Sequence, residues 1–216
     1  MTRTYRSDRR AAQAQETRAR VLAAAAGLFE QRGYAATTIR RVAGDAGVSV
    51  PMVEALFGSK PKLLKACIDV AIAGDDQAVP VLERDWTDEV RSATTTAELL
   101  AVVARTLGPA QHRSAGLVLA VFEGAASDDE LDRLADEMVR QRRATSTWIV
   151  RAVAGTTSLR TSEREAVDTL WTLMDPAIHD RLVRRLGWSL DRYQEWFARS
   201  AEHLLVPDLH REEQSL

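Results

Sequence analysis

The sequence predicts an all-α protein, on three observations. Apolar residues recur at helical i, i+3/i+4 spacing along most of the 216 residues. Residues that cap helices precede those stretches, and glycine follows several of them. No alternating strand pattern and no internal repeat is present.

The elements follow in order. Residues 18–32 place Val21, Leu22, Ala25, Leu28 and Phe29 on one face, and Gly33 is a natural stop. Thr37 or Thr38 can cap the next helix, Ile39 to Ala46, which Gly47 ends. Ser49 can cap a third, where Pro51 is tolerated because first-turn N–H groups lack helical partners anyway. Ser59 opens a fourth, carrying Leu63, Leu64, Cys67, Ile68 and Ala71. Gly74, Pro80 and a threonine cluster mark residues 71–95 as a helix end and a connector. Beyond it, two helices are expected to break at Gly108-Pro109. Ser127 to Glu130 reads as a capping box before a long helix with Leu131, Leu134, Met138, Trp148, Ile149 and Ala152. Ser162 and Glu165 form a second box, leading into Ala166, Leu170, Leu173 and Met174. Asp175-Pro176 starts a short helix that Gly187 ends. Ser189 starts the last, with Tyr193, Trp196, Phe197, Ala201, Leu204 and Leu205 on one face.

Composition narrows the function. The chain is 45% hydrophobic and 28% charged, ordinary for a globular protein. Its longest nearly unbroken apolar run, residues 21–29, is too short to span a bilayer, and no secretory signal is recognised, so no membrane partner and a cytoplasmic location are expected. The single Cys67 reads as a small buried residue. The net charge of −2 hides an asymmetry: residues 1–62 hold eleven Lys/Arg against five Asp/Glu, so they carry +6 and the rest −8. A basic head on an acidic body points to a polyanion partner for the head.

Catalytic patterns are missing. There is no Gly-rich phosphate loop, no GxSxG and no HExxH, and the four histidines (His112, His179, His203, His210) are scattered without metal-site spacing. Asp128-Asp129 and Glu212-Glu213 fit a helix start and a solvated tail better than an acid/base pair. The protein is read as not an enzyme, with no cofactor and no metal.

"VAGDAGVSVPMVEALFGSK", residues 42–60, has the form of a helix-turn-helix. Ala43 is small where two helices would cross, Gly47 supplies the turn, and Val48, Val53 and Leu56 can pack the pair. Val50, Pro51, Met52, Glu54 and Ala55 are left more exposed. The second helix holds no Lys or Arg.

The surrounding stretch, about fifty residues from Glu16 to Leu64, resembles the N-terminal domain of the TetR family of bacterial transcriptional regulators. The matching features are Thr17-Arg18, Leu28-Phe29, Gly33-Tyr34, Thr37-Thr38, Ala43, Ala46-Gly47-Val48-Ser49, Phe57, Ser59-Lys60 and Leu63-Leu64. Residues 175–205 resemble the closing helices of one subgroup. The resemblance implies a helix-turn-helix domain over 1–60, with a basic arm over about 1–15, and a helical effector-binding and dimerisation domain over 61–216. It implies a homodimer on a palindromic double-stranded DNA operator, acting as a repressor released by a small-molecule effector.

By position, Thr37 or Thr38 and Lys60 would hold phosphates, Arg40, with Arg41 beside it, would approach base edges, and Ser49, Val50, Pro51, Met52, Glu54 and Ala55 would enter the groove. The sequence departs from the family at Val50, commonly Lys or Arg, and at Glu54, commonly a phosphate-binding Tyr. Phosphate contacts need not come from the reading helix, so Pro51, Met52 and Ala55 could read thymine methyls. Phe122, Met138, Trp148, Trp171 and Met174 are candidates for core or effector pocket. Trp171, Tyr193, Trp196, Phe197 and Leu204 are candidates for the dimer interface. The alternative is a helical effector-binding or scaffolding protein that no longer binds DNA specifically.

Overall fold

A computed structural model describes residues 2–74 and 80–207, with side chains from residue 12 onward. His210 and Glu212-Glu213 lie outside the described residues, as do the side chains of Arg3, Arg6, Arg9 and Arg10. The elements are α1 (Thr2–Ala36), α2 (Ile39–Ala46), α3 (Val50–Phe57), α4 (Lys60–Ala73), α5 (Trp86–Ser92) and α6 (Thr96–Ala125), then α7 (Asp129–Ala154), α8 (Glu163–Leu173), α9 (Pro176–His179) and α10 (Leu190–Leu205). A 3-10 turn covers Val81–Glu83, and a π-helical segment, Asp180–Arg185, continues α9. No strand occurs among the described residues.

The chain forms two compact units. One takes in residues up to Ala71 together with Gly116–Ala135; the other takes in Ile72–Ala115 and the chain from Asp136. In the first, Val21, Phe29, Val42, Val53, Leu63, Leu64, Ile68, Val121 and Leu131 are all almost fully buried. Burying each such side chain contributes about 1.5–3 kcal/mol. Cys67 is buried there, donates weakly to the Leu22 carbonyl at 3.6 Å, and has its thiol pushed up to about 12 by burial. In the second, Leu99, Leu100, Ile149, Val150, Leu170, Phe197 and Leu205 centre the core.

The structure departs from the sequence-based expectation at four places. The first helix, expected over 18–32, reaches back to Thr2. The connector contains a helix, α5, anchored by Trp86, whose indole donates to the Val81 carbonyl at 2.7 Å and meets Trp148 edge-on at 5.2 Å. Two helical turns carrying only Trp86 and Val90 as apolar anchors give too little periodicity to recognise. The break expected at Gly108-Pro109 is absent, because α6 runs through Pro109. A proline inside a helix costs about 3 kcal/mol, which the buried α6 residues on either side offset. Gly108 has a packing reason instead: a Cβ there would sit 2.8 Å from Gln194 Cγ on α10. Finally, the capping box at 127–130 is not formed. Asp128 caps α7, accepting from Glu130 N at 2.9 Å and Leu131 N at 3.3 Å, while the Glu130 side chain goes elsewhere.

Candidate nucleic-acid interface

The α2–α3 pair is built by local capping. Thr38 caps α2 by accepting from Arg41 N at 3.2 Å. Gly47 adopts the left-handed conformation (φ 66°, ψ 37°) that a Cβ disfavours, and Val48 N returns to the Ala43 carbonyl at 2.9 Å. Ser49 caps α3 by accepting from Met52 N at 3.3 Å, and Pro51 sits in the first turn. Val42, Ala43 and Ala46 of α2 and Val53 and Phe57 of α3 are buried. The Arg18 guanidinium of α1 lies 4.6 Å from the Phe57 ring centre, joining α1 to the end of α3.

What remains is the outer face. Thr38, Arg40, Arg41, Ser49, Pro51, Glu54 and Ala55 are exposed, Met52 is 45% exposed, and Val50 is half-buried. These residues share one helix pair. Thr37 does not join them: it is fully buried and donates to the Gly33 carbonyl at 2.9 Å.

Lys60 also turns inward. Its ammonium donates to the carbonyls of Tyr34 at 3.0 Å and Thr37 at 3.1 Å, and lies 3.7 Å from the Tyr34 ring centre. It thereby adds a second donor to the Tyr34 carbonyl, which also accepts from Thr37 N at 3.2 Å, and bonds the Thr37 carbonyl between α1 and α2. Burial lowers the Lys60 pKa, against the opposing charge of Asp128. Tyr34 OH donates to Asp128 Oδ2 at 2.8 Å, and Ser59 Oγ donates to Glu130 Oε2 at 2.9 Å. Burial first, then the bond to Asp128, raises the Tyr34 phenol far above its ordinary value. The same bond is the main cause that lowers the Asp128 carboxyl. Sequence reasoning missed this cluster, since the residues from Ser127 to Glu130 carry a capping signal that does not announce a partner some seventy or more positions earlier.

The candidates in the other unit separate by burial. Met174 is buried, its carbonyl accepting from Gln111 Nε2 at 2.8 Å and its sulfur lying 3.4 Å from Ser146 Oγ. Trp171 is half-buried under the Arg142 guanidinium at 4.0 Å, and Arg142 pairs with Asp175 at 3.0 Å. Met138 and Trp148 are half-buried, and Phe122, in the first unit, is 38% exposed. A groove beside α6 and α10 is lined by Ala97, Ala101, Ala104 and Ala198 with charged neighbours, and none of these five candidates lines it. Of the interface candidates, Tyr193 and Phe197 are core residues with almost no surface, Trp171 and Trp196 are half-buried, and Leu204 is 43% exposed. His112 and His179, far apart in sequence, have ring centres 5.7 Å apart.

Residues 21–67 match the family model of the N-terminal domain of bacterial regulatory proteins of the tetR family. No curated protein matches the chain at a significant level. Solved structures share its fold. NalD, the secondary repressor of the MexAB-OprM multidrug efflux pump in Pseudomonas aeruginosa, aligns with a TM-score of 0.67 at 19% identity, covering 91% of this chain and 98% of its own. The fatty acid degradation regulator FadR from Bacillus halodurans aligns with a TM-score of 0.62 at 15% identity, covering 85% and 93%. A transcriptional regulator from Rhodococcus sp. Rha1 gives 0.62 at 16% identity, covering 87% and 95%.

Proposed function

For a chain that belongs, through residues 21–67, to the tetR family of bacterial regulatory proteins, we propose the role of a DNA-binding transcriptional repressor released from a palindromic operator by a small-molecule effector. The observation that carries it is the α2–α3 pair: α3 buries Val53 and Phe57 and gives Pro51, Met52, Glu54 and Ala55 to solvent. Arg40 and Arg41 of α2 stand exposed beside that face.

The roles divide by chemistry. Thr38 and Arg41, with the basic α1 start, supply phosphate-directed contacts that position the protein without reading sequence, while Arg40 approaches base edges. Pro51, Met52 and Ala55 offer methyl-sized apolar contacts suited to thymine C5-methyl groups in the major groove, with Ser49 and Val50 at the start of the same helix. Two copies join through the outer surfaces of α8 and α10, where Trp171, Trp196 and Leu204 keep area to offer and Tyr193 and Phe197 support them from within. An interface of roughly 1,200 Å² or more is ordinary for such a dimer. The effector binds in the α6–α10 unit.

A second reading has its own observation. α3 carries no cation and Lys60 spends its ammonium inside the protein, which fits a helical effector-binding protein without specific DNA binding. Selection from random duplex DNA followed by gel shift separates the two. Recovery of a two-half-site sequence bound far above a scrambled duplex supports the repressor; equal binding to both supports the alternative.

A further inference from the structure

Both ends of the reading segment are tied to one turn. At its front, Tyr34, in the last turn of α1, lies three residues before buried Thr37 and four before the α2 cap, and its hydroxyl is held by Asp128 Oδ2 at 2.8 Å. At its back, Ser59 directly precedes α4 and is held by Glu130 Oε2 at 2.9 Å. Lys60 closes the ring of contacts by bonding the Tyr34 and Thr37 carbonyls. Asp128 Oδ1 is already committed to the first N–H groups of α7, so one carboxylate serves as helix cap and as anchor. The fit is close: a Cβ on Gly124 would meet Leu131 Cδ1 at 2.6 Å and Tyr34 Cδ1 at 3.0 Å.

We propose that Asp128 and Glu130 are positioning residues for DNA recognition: they pin residues 38–58 at both ends and so set the angle at which α3 is presented, without touching DNA. The inference rests on the DNA-binding reading above. Charge-assisted hydrogen bonds suit this task because they are directional and resist the small rotations that apolar packing tolerates.

The test uses the full chain, an operator selected by the wild-type protein from random duplex, and a scrambled duplex of equal length. Measurements are made where circular dichroism shows every variant folded. Tyr34→Phe keeps the ring beneath Lys60 and removes only the hydroxyl; Asp128→Asn leaves one acceptor oxygen for two tasks. Each is expected to weaken operator binding about tenfold, the worth of one hydrogen bond to a charged group. The double variant should lose no more than either single one, because they share the bond. Glu130→Ala should behave likewise and Glu130→Gln should restore binding. Binding to the scrambled duplex and the salt slope should stay nearly constant. Unchanged or tighter operator binding, or an equal loss on both duplexes, overturns the proposal.

If the wild type selects no operator, the DNA-binding reading fails on its own. Hydrogen exchange in the free protein then decides the pinning: faster exchange at the amides of 38–58 in Asp128→Asn, with α8 and α10 unchanged, supports it, and unaltered exchange overturns it.

Discussion

Lys60 and Tyr34 form a closed pair: the ammonium stands 3.7 Å from the centre of the Tyr34 ring and donates to the Tyr34 carbonyl at 3.0 Å. The lysine lies in the first turn of α4 and the tyrosine at the end of α1, so this contact fixes how the two helices that flank the reading segment meet.

Lys60→Ala is therefore expected to cost stability in the absence of DNA. Two hydrogen bonds to carbonyls and a cation–π contact are lost, together about 1–3 kcal/mol. A urea melt reads it directly. A lysine that served only phosphates would leave the midpoint where it was.

Glu54→Gln is expected to tighten binding to specific and non-specific DNA together, most at low salt. Glu54 is exposed on the face of α3 that carries Met52 and Ala55, and a carboxylate beside phosphates is repelled, less so as salt screens it. Titrations at two salt concentrations check this. Loss of operator affinity alone would instead make Glu54 an acceptor for a cytosine amine.

Gly124→Ala is expected to destabilise. Helix propensity alone would favour alanine by about 1 kcal/mol. The added methyl would press on Leu131, which is fully buried, and on the Tyr34 ring, and overpacking of this kind costs about 1–3 kcal/mol. A raised melting temperature would show that the site has slack.

His179 should make stability fall on acidification. It is fully buried, neither ring nitrogen meets a hydrogen-bond partner among the described residues, and burial with the neighbouring His112 and Arg184 brings its pKa down to about 4, against the opposing charge of Asp180. The unfolded chain takes up a proton near 6.5. Between about 4 and 6.5 the unfolded state thus binds more protons, so this contribution is complete above 6.5 and lost as pH falls toward 4. Its upper bound is roughly 3 kcal/mol. His179→Phe should flatten the wild-type difference between melts at pH 5 and pH 7.5; an unchanged difference rejects the assignment.

The legible part of the molecule was the locally determined part. Thr38, Gly47, Ser49, Ser162 and Ser189 cap or turn their helices through partners a few residues away, so spacing alone located α2, α3, α8 and α10. The exposed face of α3 followed from the same periodicity. What the sequence did not reveal depends on distant partners. Pro109 stays helical through tertiary packing, and Lys60 turns inward because the end of α1 and the link to α2 each offer it a carbonyl. The Asp128 and Glu130 ties and the meeting of His112 with His179 join residues 67 to 94 positions apart. No local pattern encodes such pairings.

The central claim, that the apolar outer face of α3 reads DNA, is tested most directly by uracil scanning of the selected operator. Replacing thymine by uracil removes only the C5-methyl group. The account predicts that one or two such positions in each half-site lower affinity about fourfold apiece, the worth of one buried methyl, and that Met52→Ala abolishes the penalty at one of them. Uniform affinity across every uracil-substituted duplex, with wild type and Met52→Ala alike, would contradict it.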